Sequence, residues 1–141
     1  MLKIIGLVIT SMVFILGFSS VYAADTLQVN QSLSINQSLN SSNGQYRLVL
    51  QGDGNLVLYT SSNQAQWASG TNGQLASRLT LQGDSNLVLY TVTNSPLWAS
   101  GTVGDRADRL VLNNDGSLAL YNGSNVVWSV NGSGAGGGNS G

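Results

Sequence analysis

Residues Gln51–Tyr59 read QGDGNLVLY, and residues Gln82–Tyr90 read QGDSNLVLY. In each copy Gln, Asp, Asn, Val and Tyr occupy every second position, the side-chain period of a β-strand rather than of a helix. The copies lie 31 residues apart, and a further 31 residues lead to Asn113–Tyr121, NNDGSLALY. Arg47, Arg78 and Arg109 keep the same step, as do Leu50, Leu81 and Leu112. Trp67 and Trp98 are also 31 apart, but Trp98 and Trp128 only 30, so the third copy has lost one residue between Tyr121 and Trp128. A fixed period of this length marks a repeat architecture.

Each copy reads as a hairpin. Leu48, Leu50, Leu56 and Leu58 fall on one face, while Val49, Gln51, Val57 and Tyr59 fall on the other. Between them, Gly52-Asp53-Gly54 supplies a three-residue loop in which glycine takes positive φ at little cost. A lone hairpin is marginal in water, so the leucine faces of the three copies are expected to bury one another. A short strand carrying Trp follows each hairpin, in QAQWAS, SPLWAS and NVVWSV. The tryptophans are read as the centre of the core, since stacking on sugar rings would require their exposure. Ahead of the first hairpin, Leu33 and Leu39 recur within NQSL, which predicts two short outer strands completing the first sheet. SGTNGQ and SGTVGD read as turns with short strands, and no stretch has a helical period.

Residues 1–23 have the form of a signal peptide: Lys3, an apolar run from Ile4 to Phe18, and small residues ending at Ala23. The run is too short to span a bilayer comfortably, so no membrane insertion is expected after its removal. Residues 24–130 then make one domain, and 131–141, NGSGAGGGNSG, a Gly/Ser-rich disordered tail. The expected location is secreted, or periplasmic in a Gram-negative bacterium. Beyond residue 23 the chain has four arginines, six aspartates and no His, Cys, Glu or Lys. That set excludes Ser-His-Asp triads, thiolate nucleophiles and His-ligated zinc, and offers no basic stripe for nucleic acid. No cofactor or metal is expected, and without cysteine the fold must rest on packing and hydrogen bonds.

The outward face is chemically selective. Asp53 only accepts hydrogen bonds, Gln51 and Asn55 offer both an amide oxygen and an NH2, and Tyr59 does both, around the small apolar Val57. Vicinal sugar hydroxyls beside C–H surface present the same mixture. Turn chemistry accounts for Asp53 and Asn55 but does not require Gln51 or Tyr59. The pattern Gln51-Asp53-Asn55-Val57-Tyr59, repeated as Gln82-Asp84-Asn86-Val88-Tyr90, resembles that of the monocot mannose-binding lectins, the bulb-type or snowdrop-like family. The resemblance spans roughly residues 25–130 and includes the three tryptophans. It implies a β-prism II fold, three four-stranded antiparallel sheets around a pseudo-threefold axis, with one carbohydrate pocket per sheet. It further implies that Asp and Asn contact the axial 2-hydroxyl of mannose, Gln the 3-hydroxyl and Tyr the 4-hydroxyl, with Val against the ring carbons. Mannose-containing glycans are the implied partner. Plant members carry an intrachain disulfide, so its absence here suggests a bacterial or otherwise divergent relative. Plant members also form homodimers by exchanging a C-terminal strand, and NVVWSV could either swap or close its own sheet.

The third copy departs from the pattern: Asn113 stands for Gln, Ser117 for Asn and Ala119 for Val, with Asp115 and Tyr121 kept. Losing several contacts of about 1 kcal/mol each should leave this site weak or dead. Two other readings compete with a lectin. A glycosidase needs two carboxyl groups flanking one bond, whereas the repeated aspartates fall one per hairpin, and Asp105 and Asp108 in GDRADR read as a solvated turn with ion pairs. A secreted interaction or bacteriocin-type targeting module on the same scaffold would bind another glycan or a protein. Arg47, Arg78 and Arg109 read as structural salt-bridge partners rather than ligand contacts.

Overall fold

Alternation of leucine with polar residues produces twelve short strands in the computed structural model, which describes residues 24–131. The expected signal peptide at 1–23 and, apart from Asn131, the expected tail at 131–141 lie outside the described residues. The strands are β1 (Thr26–Gln28), β2 (Ser32–Ser34), β3 (Ser38–Asn40), β4 (Tyr46–Leu50), β5 (Leu56–Thr60), β6 (Ala65–Ala68), β7 (Ala76–Leu81), β8 (Leu87–Thr91), β9 (Pro96–Ala99), β10 (Arg109–Leu112), β11 (Leu118–Asn122) and β12 (Asn125–Val130). They form three four-stranded antiparallel sheets, ordered β3-β4-β5-β6, β2-β7-β8-β9 and β1-β10-β11-β12. This is the β-prism II arrangement, with one repeat as the body of each sheet.

Each repeat builds its sheet from a hairpin and the Trp strand behind it. In the first, Leu48 faces Leu58, Val49 faces Val57 and Leu50 faces Leu56 across β4 and β5. Gln51 N–H donates to the Asn55 carbonyl at 2.9 Å, leaving the three-residue loop that the sequence predicts. The residue missing from the third repeat is in the turn before its Trp strand. There Asn122 pairs directly with Asn125 around Gly123-Ser124, whereas Thr60 N–H closes on the Gln64 carbonyl around three residues.

The two outer strands expected in the first sheet are instead three, and each joins a different sheet: β3 pairs with β4, β2 with β7 and β1 with β10. The leucine repeat extends one step further back than NQSL suggests, to Leu27, so that Leu27, Leu33 and Leu39 each bury in a separate sheet. Asn30 and Asn36 make the crossings possible. Both hold φ near +70° (71° and 69°), a conformation that asparagine tolerates better than most residues, and both donate their N–H to the hairpins they pass, at the Leu81 and Leu50 carbonyls.

The core follows from this stitching. Each sheet turns five leucines inward (Leu39, Leu48, Leu50, Leu56 and Leu58 in the first), and all fifteen are 0–1% exposed. Burying a leucine fully is worth roughly 2 kcal/mol, so the leucine rows dominate cohesion. Trp67, Trp98 and Trp128 lie opposite Leu58, Leu89 and Leu120 and pack against this cluster but remain half-buried, so the leucine rows and not the tryptophans form the centre of the core. Their rings meet edge to face, with centroids 5.5, 6.3 and 5.7 Å apart, the geometry favoured by the ring quadrupole. NVVWSV closes its own sheet by pairing β12 with β11.

The hairpin loops test the glycine requirement directly. Gly54 and Gly116 hold φ of 91° and 92°, and the second copy puts Ser85 there with φ 83°. A Cβ on Gly54 would lie 2.1 Å from the Gln74 carbonyl oxygen, whereas the Ser85 hydroxyl accepts a hydrogen bond from Ala107 N–H at 2.9 Å. Gly54→Ser is therefore expected to cost about 2 kcal/mol or more through strain and collision. Ser85→Gly should cost only about 1 kcal/mol, one hydrogen bond offset by relief of the left-handed backbone. Urea unfolding midpoints of the two variants, at unchanged slope, measure the difference.

Candidate functional site

On the outward face of the first sheet three rows stand side by side: Arg47 with Tyr59, Val49 with Val57, and Gln51 with Asn55. The Tyr59 hydroxyl donates to Oε1 of Gln51, so the phenol spans the valine row. Val57 is thereby only 3% exposed: it forms a covered floor rather than an open apolar patch. Gln51 Nε2 donates to Asp53 Oδ1 at 3.1 Å, and Asn55 N–H donates to the same oxygen at 2.9 Å. These donors stabilise the charged carboxylate, first the Asn55 N–H and then the Gln51 amide, and hold Asp53 below its ordinary value of 3.8.

Asn55 is oriented by the turn after β6. Its Oδ1 accepts from Ser69 Oγ (3.2 Å), Gly70 N–H (3.0 Å) and Thr71 N–H (3.1 Å). With the oxygen occupied, Nδ2 is committed as an outward donor, and it has no partner among the described residues. Ser69 Oγ also receives Leu56 N–H, and the Thr71 hydroxyl donates to the Gly54 carbonyl, which ties the turn to the hairpin. Asn55 Nδ2 and Asp53 Oδ2 are thus the donor and the acceptor left without a partner among the described residues.

The second sheet repeats these contacts. Tyr90 donates to Gln82 Oε1, Gln82 Nε2 reaches both oxygens of Asp84, and Asn86 N–H donates to Asp84 Oδ1. Asp84 is lowered for the same reasons, Asn86 N–H first and the Gln82 amide second. Asn86 Oδ1 is held by Ser100, Gly101 and Thr102. Val88 is again 3% exposed. All ten residues singled out by the repeated motif therefore gather in two equivalent constellations.

The third copy brings Asn113, Asp115, Ser117, Ala119 and Tyr121 together but wires them differently. Asn113 Nδ2 donates to both Tyr121 Oη and Ser117 Oγ, and the Ser117 hydroxyl donates to Asp115 Oδ1 at 2.8 Å. No amide projects where Asn55 and Asn86 do, and Ala119 is buried. Asp115 is lowered chiefly by Ser117 N–H and then by the Ser117 hydroxyl. Val130 stands where Ser69 and Ser100 do, and buries in the core.

Two supports went unrecognised in the sequence. The Ser-Gly-Thr segments read as turns with short strands, although their exact recurrence at 69–71 and 100–102, and loss in the third copy, is the signal of a further role. The arginines are the other: expected as salt-bridge partners, Arg47 and Arg78 make no ion pair among the described residues. Each guanidinium lies over the site tyrosine instead, at 4.7 Å for Arg47–Tyr59 and 4.5 Å for Arg78–Tyr90, and donates to Asn63 or Asn94. Arg109 stacks likewise on Tyr121 but does pair with Asp108 at 2.6 Å. Asp108 also accepts Gly123 N–H, which together with Arg109 lowers its pKa. No group of His, Cys, Asp and Glu suited to a metal occurs among the described residues, nor any helix long and apolar enough to cross a membrane.

No family model and no curated protein matches the chain. Solved structures do. A Marasmius oreades lectin is 30% identical, over 77% of this chain and 91% of its own, with a TM-score of 0.71. A monomeric monocot mannose-binding lectin from Gastrodia elata is 39% identical over 75% and 96%, with a TM-score of 0.66. The mannose-specific agglutinin of snowdrop (Galanthus nivalis) bulbs, solved with methyl-α-D-mannoside, is 35% identical over 70% and 89%, with a TM-score of 0.64. Sharing both the three-sheet architecture and this level of identity across nearly the whole of those lectins, the chain belongs to the monocot mannose-binding, or bulb-type, lectin family.

Proposed function

We propose that the protein is a secreted, non-enzymatic lectin that binds α-mannose residues of glycans at two sites, Gln51-Asp53-Asn55-Val57-Tyr59 and Gln82-Asp84-Asn86-Val88-Tyr90. One observation carries the reading: in both sheets the Asn oxygen is consumed by the following turn, so that its NH2 projects beside an ionised aspartate. A paired donor and acceptor at fixed spacing suits a single hydroxyl that both accepts and donates, as an axial sugar hydroxyl does. The printed specificities of the snowdrop and Gastrodia relatives support mannose as that sugar. Binding rather than catalysis follows from the carboxylates, which sit one per sheet. Neither is raised toward the range of a general acid. The third copy lacks the projecting amide and is proposed not to bind.

Hydroxyl hydrogen bonds replace bonds to water, so one monosaccharide binds weakly and two sites on different sheets favour multivalent targets. Titration with methyl α-mannoside, followed by amide NMR, should shift Asn55 and Asn86 and leave Ser117 unmoved. The glucose epimer should bind at least about tenfold more weakly, because its equatorial hydroxyl cannot meet the paired donor and acceptor together. Asp53→Ala should silence the first site alone and Asp84→Ala the second alone. These are cleaner than asparagine variants, which would also release the turn N–H groups. Equal affinity for the two epimers, or unaltered binding in the double aspartate variant, would overturn the reading.

The pH dependence has a definite sign. The carboxylates are needed ionised, and their folded pKa values lie below the ordinary one, so binding is retained above that value and lost as pH falls through the lowered range. Mannoside affinity should stay flat from about pH 8 to about pH 5 and decline only below about pH 4, as calorimetry across that range would read.

A further inference from the structure

Each binding constellation has a cation at its rim whose charge nothing in the described chain neutralises. Arg47 and Arg78 are half-buried, stacked on the tyrosine that bridges to the site glutamine, and anchored through Nη1 alone, at 3.0 Å to Asn63 and 2.9 Å to Asn94. Their Nε and Nη2 donors have no partner among the described residues. The aspartate of the same site does not serve as counter-ion: Asp53 and Asp84 are engaged by the neighbouring N–H and the glutamine amide. The third repeat supplies an internal comparison. Its arginine stacks in the same way, but Asp108 neutralises it, and this is the repeat whose sugar constellation is dismantled. The free cation thus accompanies the intact constellation in both cases.

From this coincidence we propose that the two sites recognise glycans bearing an oxyanion (phosphate or carboxylate), which Arg47 and Arg78 bind through the free edge of the guanidinium. The proposal rests on the carbohydrate-binding reading above and narrows its substrate class. A planar guanidinium laid on an aromatic ring keeps its edge available, and that edge matches an oxyanion by parallel N–H donors; a flexible ammonium would give only a point charge. The small net negative charge of the chain does not oppose this, because screening confines electrostatics to about 8 Å at physiological salt.

The test compares mannose 6-phosphate and methyl α-mannuronoside with methyl α-mannoside on the purified full chain, at low and at physiological salt. At least one anionic sugar should bind roughly tenfold more tightly than the neutral one, an advantage that shrinks as salt rises. Which of the two gains identifies the source of the oxyanion. In the variant carrying Arg47→Gln and Arg78→Gln the ratio of anionic to neutral affinity should fall to about one. That ratio separates the proposal from a merely structural role, since a displaced tyrosine would weaken all the sugars alike and leave the ratio unchanged. Arg47→Lys with Arg78→Lys should keep part of the advantage. An anionic-to-neutral ratio near one in the unaltered protein, or an advantage that survives the glutamine variant, overturns the proposal while leaving the lectin reading standing. Failure of every sugar to bind overturns both.

Discussion

Everything outward in this molecule is fixed by what must go inward. A strand places successive side chains on opposite faces, so committing five leucines per sheet to the interior leaves the alternate positions no choice but solvent. Gln51, Val57 and Tyr59 share a face because Leu50, Leu56 and Leu58 share the other. A register slip of one residue would expose the leucines and swallow the polar constellation together. Cohesion and recognition are therefore not separate properties of the hairpin. The same constraint explains how three sheets can diverge in their outward residues without diverging in fold. All fifteen inward leucines survive, while the outward set is free to lose Gln, Asn and Val in the third copy.

The proposed chemistry depends on a second layer of support behind the outward face. An asparagine alone on a strand could present either end of its amide to a ligand. Here the Ser-Gly-Thr turn takes the oxygen with two backbone N–H groups and a hydroxyl, so only the NH2 can project. Preorganisation of this kind spares the cost of ordering a side chain on binding. The aspartate is likewise held toward its ionised form by the Asn55 N–H and the Gln51 amide. The tyrosine is held on one side by the glutamine and on its face by an arginine, which itself leans on an asparagine with positive φ, Asn63 or Asn94.

Much of this was legible in the sequence because it is local. The hairpins, their three-residue loops, the leucine face and the ten-residue outward set all follow from a period of two within each repeat, and the single missing residue falls in the interval that the tryptophan spacing marks. What was not legible is what depends on partners distant in the chain. Nothing in NQSL says which sheet receives it, because Leu33 and Leu39 satisfy the same pattern whether they lie side by side in one sheet or apart in two. Leu27 belongs to that pattern without spelling the motif, because Ala24, Asp25 and Thr26 stand where Asn-Gln-Ser precedes Leu33 and Leu39. The arginines misled for a different reason. A charge repeated beside aspartates suggests ion pairs, whereas cross-strand register puts Arg47 opposite Tyr59 and Arg78 opposite Tyr90, where an aromatic face is the nearer attraction.

The destination of the first three strands bears on how the molecule comes to be. β3, β2 and β1 enter the first, second and third sheets in turn, so the earliest-made strand waits for the last-made repeat: Thr26 finds its neighbour only when Val111 has left the ribosome. Until then the third leucine row has no closing edge. Assembly is consequently bound to be late and concerted rather than sequential, with high contact order and slow kinetics. The lacing that delays completion also draws the two ends of the described chain into one sheet, where clipping a few residues from the start would unseal the module at its far end.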